Sequence, residues 1–539
     1  MLQNSEKQRK SKGFLCPSLR TARLSLKKTH YMKICLIPLL LILTITGKAQ
    51  DSRKLAAFFV RLEKTRQFSG NVLVAKNGKV IYRGAFGYAD FKTHLRNQPN
   101  TAFPIASMSK TLTATAILQL AEQGKLAVSE PVFYYLAGFP YPDVTIKHLL
   151  SHTSGLPPYN AFFEPILTKE PGRVITNADF LPAAIANKPA LIYQPGSSGN
   201  YDNINYLILA LIIEKVSGET YSGYIQEHIL QPAGMTHTRF MALCAQFNTD
   251  TLHHYAFPHL FPGIFDEFPV RANTIPYVRD YWRTFAVTGF GDYISTVDDI
   301  LLYDQALYDN RLLKAETMKQ SFEPVRLNNG KLHPQLFGLG WEIEADTSRG
   351  KVVYHSGVAT GLSSVMIRNI DKHETVILFD NCHYNAHETG DWAMKLLDGE
   401  PVQLPKYSIA RSYGIALKKY GATAARLLLQ KLKKDTANYQ LSEVEMNQLG
   451  YDFLGLDNTY HLPARNLYPQ ALETLKLNTV LFPSSWNAFD SYGEVLLKAG
   501  QPDKAAVMYQ RSIQLNPNNQ AGKKVLETIM NQKNPTFKN

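Results

Sequence analysis

A chain of 539 residues that is 45% hydrophobic and 19% charged can bury a large core and has room for two or more domains. Its formal net charge of +13 is concentrated at one end, because residues 1–50 carry ten Lys or Arg against one Glu. The remainder is left at about +4, with no later cluster of basic and aromatic residues, which removes the grounds for a nucleic-acid partner.

Met32-Lys33, the apolar run Ile34–Ile45 and then Gly47-Lys48-Ala49 ahead of Gln50 have the build of a secretory signal cleaved before Gln50. The run is shorter than the roughly 20 apolar residues that span a bilayer. Residues 1–49 are therefore expected to be an N-terminal extension and signal peptide, and the protein to be exported, periplasmic or secreted. It is membrane-anchored only if the signal is not cleaved. Cys16 and Cys35 leave with that segment. Cys244 and Cys382 either pair in an oxidising compartment or stay separate thiols.

The amphipathic stretch Leu55–Thr65 precedes two alternating runs, Gly70–Ala75 and Val80–Gly84, around Asn77-Gly78, a strong hairpin signal. Ser107-Met108-Ser109-Lys110 then runs into Thr111–Glu122, which is patterned as a helix. Residues 110–320 read as helical runs broken by Pro and Gly. Within them His253–Arg283, aromatic and without a clear period, reads as a loop over the site. Strand patterns return at Gly338–Glu344, Val352–His355, Ser363–Arg368 and Thr375–Phe379. Strands at both ends with helices between predict an α+β domain over residues 51–400. It is an antiparallel sheet flanked by helices with an inserted helical subdomain, and the cleft between the two is the natural site.

Past residue 400 the strand signals stop. Residues 401–440 read as a helical linker or degenerate repeat, with a helix pair over Tyr407–Lys434. Residues 441–533 read as an all-α, tetratricopeptide-like domain, because Pro483 and Pro517, and Ala471 and Ala505, are each 34 apart. Leu475 and Tyr509 occupy matching places, and the earlier unit carries about nine extra residues around Asn458–Leu467. So few repeats are near the minimum for a stable stack. The region is expected to pack on the first domain or mediate self-association, with a protein partner as a further expectation.

A serine and a lysine three apart at a helix start share one face, within about 6 Å. A lysine amine there either lowers the hydroxyl pKa or, when desolvated and neutral, accepts its proton. Ser107 is thus a candidate nucleophile. Ser25–Lys28 and Ser348–Lys351 repeat the spacing, in a basic tail and in a turn, without the helix-start setting. Tyr201-Asp202-Asn203 sits between a Pro-Gly turn and the apolar helix Ile204–Val216. Tyr201 near Ser107 could relay its proton, with Lys110 holding the phenol pKa down, while Asn203 orients Lys110 and a substrate amide. Tyr308-Asp309-Asn310 repeats the tripeptide at a helix end, where Asn is an ordinary cap. His355-Ser356-Gly357 closes a strand, and its glycine permits close backbone approach to a ligand. The N–H groups of Val358 and Ser107 could together hold an oxyanion.

Ser107-x-x-Lys110, Tyr201-x-Asn203 and His355-Ser356-Gly357, in that order, resemble the serine β-lactamase and penicillin-binding protein superfamily, in its class C-like branch. Ile146–Leu156 and Ser295–Asp299 also look like the family, and the second of these is read as structural together with His152, Thr153 and Ser154. The resemblance implies Ser107 as nucleophile, Lys110 and Tyr201 as the proton-transfer pair, and an acyl-enzyme. Asn203, His355, Ser356 and Gly357 would then contact substrate, and Ser107 and Val358 would form the oxyanion hole. Many β-lactamases have Lys where this chain has His355, and neutral imidazole holds a carboxylate less well. The reading leans to an esterase or D-amino-acid peptidase over efficient β-lactam hydrolysis. Gly-x-Ser-x-Gly is absent, as is His-Glu-x-x-His, so no cofactor and no metal are expected. The rival reading is a module that captures peptides or penicillins without turnover.

Overall fold

A computed structural model describes residues 51–246, 254–455 and 467–533. The signal segment, His253 and most of Asn458–Leu467 lie outside them. Helix α1 (51–64) is followed by strands β1 (Gly70–Lys76) and β2 (Lys79–Phe86). Asn77 and Gly78 join the strands with φ of 50° and 68°, the left-handed pair that a tight hairpin turn demands.

The inserted part contains α2 (Ser109–Glu122), α3 (Ile204–Ser217) and α4 (Val297–Tyr308). The chain then returns through β3 (Glu342–Ile343), β4 (Val352–Ala359), β5 (Leu362–Asn369) and β6 (Glu374–Asp380), and ends the domain with α5 (Ala386–Leu397). These strands form one antiparallel sheet in the order β3-β4-β5-β6-β1-β2, so β6 pairs with β1 across the whole insertion. Period-two alternation sorts the side chains. Val72, Val74, Val365 and Leu378 pack with Leu55, Phe59 and Met394 of α1 and α5. Leu73, Met366 and Ile377 face the inserted helices.

The strand expected over Gly338–Glu344 is confined to Glu342–Ile343. Gly340 turns with φ of 90°, and a Cβ there would lie 2.3 Å from that of Ala114, so the chain bends against α2 before it can extend. His253–Arg283 is not simply a loop. Its described part contains the small ladder His259–Leu260 with Val270–Arg271 and the helix Pro276–Arg283.

Past residue 400 the described chain is helical apart from a two-residue parallel ladder, Tyr407–Ser408 with Tyr439–Gln440, where no strand was expected: α6 (Ile409–Leu432), α7 (Glu443–Leu454), α8 (Tyr468–Leu481), α9 (Trp486–Lys498), α10 (Pro502–Leu515) and α11 (Gln520–Lys533). Gly421, with φ of 83° and ψ of 177°, divides α6 into two helical pieces. Gly450 of α7 packs on Leu475 of α8, and Gly493 of α9 packs on Tyr509 of α10, so both helix pairs close on a glycine. The first domain enters this core. Phe265 is buried among Tyr413, Leu449 and Phe453, with its ring 4.4 Å from that of Phe453. Cys382 is a buried free thiol, so the pairing with Cys244 does not form.

Arg368 of β5 and Asp304 of α4 form a buried ion pair at 2.6 Å, completed by the Thr375 hydroxyl at 2.9 Å from Asp304. Tyr308, Phe322 and Trp341 surround the guanidinium. Removing one partner strands the other charge away from water. Asp304→Ala is expected to cost about 3–5 kcal/mol in denaturant unfolding. A loss below about 1 kcal/mol would mean that the pair behaves like an exposed one.

Candidate active site

Ser107 lies in a single 3-10 turn, Ala106–Met108, that feeds directly into α2. Ala106 has φ of 45°, a left-handed conformation that costs a non-glycine residue about 1–3 kcal/mol. The turn is held from outside, because Ser364 of β5 donates its hydroxyl to the Ile105 carbonyl at 2.7 Å. Strain here tips Ser107 out of the helix line and into the cleft.

One turn on from Ser107, at the second residue of α2, the Lys110 amine is fully buried and reaches three oxygens. These are Ser107 Oγ at 3.0 Å, Asn203 Oδ1 at 2.8 Å and the Phe290 carbonyl at 3.2 Å. Burial lowers the Lys110 pKa to about 7, against the pull of Asp202, Asp292 and Glu342. The Ser107 hydroxyl lies near enough to the Tyr201 phenol to act on it, and the Tyr201 ring lies 4.8 Å from the Lys110 amine. Burial raises the Tyr201 pKa above its ordinary value. The expectation that Lys110 holds this phenol down is therefore corrected. Desolvation outweighs every other influence on it, and the lysine gives up its charge instead.

From the other wall, β4 brings His355, Ser356, Gly357 and Val358. A Cβ on Gly357 would lie 2.3 Å from the Ile105 carbonyl oxygen and 2.9 Å from the Ser107 nitrogen. The glycine is thus needed for the strand to press against the turn of the nucleophile, a closer constraint than approach to a ligand. N–H groups of alternate residues in a strand point the same way. The Val352 carbonyl accepts from the Glu344 N–H at 3.0 Å across the β3 edge, so the N–H groups of Ser356 and Val358, which alternate in step with Val352, face that same edge. Val358 and Ser107 thereby present N–H groups from two elements in contact. His355 is buried and its pKa falls to about 3, chiefly through burial and then through Lys110. Its Nδ1 lies 2.7 Å from the Ser356 carbonyl, so Nδ1 carries the proton and Nε2 a lone pair.

Comparison with known proteins decides the family. A family model described as Beta-lactamase matches residues 55–399. The chain belongs to the beta-lactamase family. It is 34% identical over 361 residues to penicillin-binding protein 4* of Bacillus subtilis (strain 168), which covers 66% of this chain and 78% of that protein. A penicillin-binding protein from Bacillus halodurans matches with a TM-score of 0.52 and 25% identity, over 63% of this chain and 99% of that one. The D-amino acid amidase of Ochrobactrum anthropi SV3, with a TM-score of 0.51 and 20% identity over 65% and 99% of the two chains, shares the fold.

In this beta-lactamase-family domain Ser107, Lys110, Tyr201, Asn203, His355 and Gly357 come together at one place. Ser348–Lys351 does not. It turns outside the site, with the Lys351 amine 2.5 Å from Glu323. His152, read as structural, positions Tyr201-Asp202-Asn203. Its ring lies 4.3 Å from that of Tyr201, and its Nδ1 accepts from the Asp202 N–H at 3.3 Å. Thr296 caps α4 by accepting from the Asp299 N–H at 3.2 Å, as a structural role requires.

Three contributors escaped sequence reasoning. The Phe290 carbonyl reaches Lys110 through backbone, which no side-chain motif reports. Buried Asp292 shapes that loop by accepting from the N–H groups of Gly289 at 2.9 Å and Gly291 at 3.0 Å, and burial lifts its pKa to about 6. Glu342, raised to about 7 by burial, sits on a two-residue strand whose register only the folded sheet reveals. Segment 254–283 does come over the site, as Trp282 packs on the cluster of Ala106 and Leu362.

Lys110 can accept a proton only when neutral, so activity should be lost as pH falls through its pKa. kcat/KM for an uncharged ester is expected to rise with pH around an apparent pKa near 7. A profile flat between pH 5.5 and 8.5 would contradict this. Gly357→Ala should lower kcat about 10²–10³-fold by pushing β4 off Ser107. Activity within about twofold of the parent would show that the contact is not needed.

Proposed function

We propose that this beta-lactamase-family serine hydrolase is an exported enzyme that cleaves esters or D-amino-acid peptides through an acyl-enzyme, with β-lactams as poor substrates. The observation that carries the reading is the Lys110 amine at 3.0 Å from Ser107 Oγ with a pKa near 7, an available base beside a nucleophile.

In the proposed mechanism neutral Lys110 takes the Ser107 proton as Oγ bonds to the substrate carbonyl carbon. The carbonyl electrons move onto oxygen, where the N–H groups of Ser107 and Val358 receive them. When the tetrahedral centre collapses, the bond to the leaving group breaks. Tyr201 passes that group a proton and is reprotonated from Lys110. Water then attacks the acyl-enzyme, giving its proton back through the same pair, and Ser107 is released. The raised phenol pKa suits Tyr201 to carrying a proton rather than to starting the reaction as phenolate. Neutral His355 supports the preference for substrates that need no cation to hold a carboxylate.

Export rests on the apolar run and small residues before Gln50. The 34-residue spacing, together with the two glycine-closed helix pairs, supports a tetratricopeptide-like C-terminal region that takes a protein partner or a second copy.

A fluorophosphonate or fluorescent penicillin should label Ser107, and Ser107→Ala should abolish labelling and turnover. Labelling that persists in this variant would remove the mechanism. Lys110→Ala and Tyr201→Phe should each slow p-nitrophenyl ester cleavage by about 10²–10⁴-fold in folded protein. In a panel of p-nitrophenyl esters, D-alanyl peptides and nitrocefin, nitrocefin is expected to be the slowest. Labelling without turnover of any of them would favour a capture module.

A further inference from the structure

The segment over the cleft is a hairpin with its base on the catalytic domain and its tip among the C-terminal helices. Its strands, His259–Leu260 and Val270–Arg271, pair over two residues only, too short a ladder to hold residues 261–269 unaided. The base is pinned beside the sheet. Arg271 meets buried Asp90 through two bonds, from Nε at 2.9 Å and from Nη2 at 2.8 Å. The His259 N–H donates to the Gly361 carbonyl at 3.0 Å and to the Asn381 carbonyl at 2.8 Å. Gly361 lies in the turn between β4 and β5, and a Cβ on it would lie 2.7 Å from the His259 carbonyl oxygen. The hairpin therefore bears directly on the strand end that carries Val358.

The tip is held from the other side. Phe265 stacks on Phe453 of α7 with ring centres 4.4 Å apart, and a Cβ on Gly414 of α6 would lie 3.0 Å from that of Phe265. The Ile264 N–H donates to the Asp452 carboxylate at 2.5 Å, Arg411 donates to the Asp266 carbonyl, and Lys419 pairs with Glu267 at 2.6 Å. After the hairpin comes the helix Pro276–Arg283. Its Val278 and Trp282 pack with Leu260, Ala272 and Ile275 in a small core of their own. Trp282 also packs on the cluster of Ala106 and Leu362. One packed unit thus reaches the C-terminal core at 264–267 and the cleft at two places, the turn before Ser107 and the turn after Val358.

We infer that Phe265 is a positioning residue. By seating the hairpin in the C-terminal helices it sets the placement of the Ser107 and Val358 N–H groups, which makes those helices part of the catalytic apparatus. This rests on the acyl-transfer reading of Ser107 given above. Acylation and deacylation both form an oxyanion, so whichever step limits turnover is slowed when the two donors drift. A displacement of about 1 Å propagated from a distance can cost about 10²-fold.

The test uses the full chain and p-nitrophenyl acetate, whose small acyl group makes no demand on a side wall. Fluorophosphonate taken to completion counts the sites with a reactive Ser107, so kcat is quoted per labelled site and misfolded protein drops out. Phe265→Ala is expected to lower kcat at least about tenfold with KM within about twofold, and Phe265→Leu, which keeps an apolar plug, to recover most of the loss. Phe453→Leu, on the opposite side of the contact, should lower kcat at least about threefold. Tyr509→Ala opens the α9–α10 pair, in a cluster separate from that of Phe265, and should leave kcat within about twofold. If Phe265→Ala does not fold, Phe453→Leu and Tyr509→Ala decide the matter. With Ser107 labelled and the ester turned over by the parent, two results refute the role of Phe265 and leave the acyl-transfer reading standing. One is a kcat within about twofold of the parent in Phe265→Ala or, where that variant does not fold, in Phe453→Leu. The other is an equal fall in Tyr509→Ala. If the parent is neither labelled at Ser107 nor active on the ester, the acyl-transfer reading fails and the inference falls with it.

Discussion

A primary amine held out of water is the constraint around which this domain is organised. In solvent the Lys110 amine would carry a charge across the whole physiological range. Surrounded by the rings of Tyr201, Tyr206 and Phe290, it loses hydration that its neighbours only partly replace. Three acids nearby keep the fall in pKa from going further, so it settles near neutrality. Each ligand of the amine comes from a different part of the fold. Ser107 comes from the turn before α2, Asn203 from the entry to α3, and the carbonyl from the Gly289–Asp292 loop.

The sheet supplies the other half of the site, and its placement depends on contacts that leave no room for adjustment. Gly357 lets β4 meet the Ile105–Ser107 turn, and Ser364 ties β5 to the same turn. The Arg368–Asp304 pair fastens β5 to α4 on the far side. The aromatic segment that bears Trp282 is anchored at Phe265 in the core of the C-terminal helices. Wall and helical region thus share one stretch of chain.

The sequence disclosed most of this architecture because its signals are local. Asn77-Gly78 marked a hairpin whose two φ angles are positive, and the alternation in β1, β5 and β6 marked a sheet. The Ser107 and Tyr201 motifs also rest on short spacings at helix starts. What stayed hidden depends on burial and on register. Burial decides that Lys110 yields its proton while Tyr201 keeps its own, the reverse of the simple expectation that the cation would acidify the phenol. Register decides that Glu342 stands opposite Tyr354, although it lies in a run read as a longer strand. Phe290 acts through its carbonyl, and Phe265 through a core built mainly from residues more than a hundred positions later.

The most direct test of the buried base is to titrate Lys110 itself, following its side-chain nitrogen by NMR in protein labelled at lysine, with Lys110→Arg to assign the signal. A midpoint near pH 7 is expected. A midpoint near the ordinary lysine value of about 10.4 would leave the amine charged beside Ser107, and the proposed route for the serine proton would be wrong.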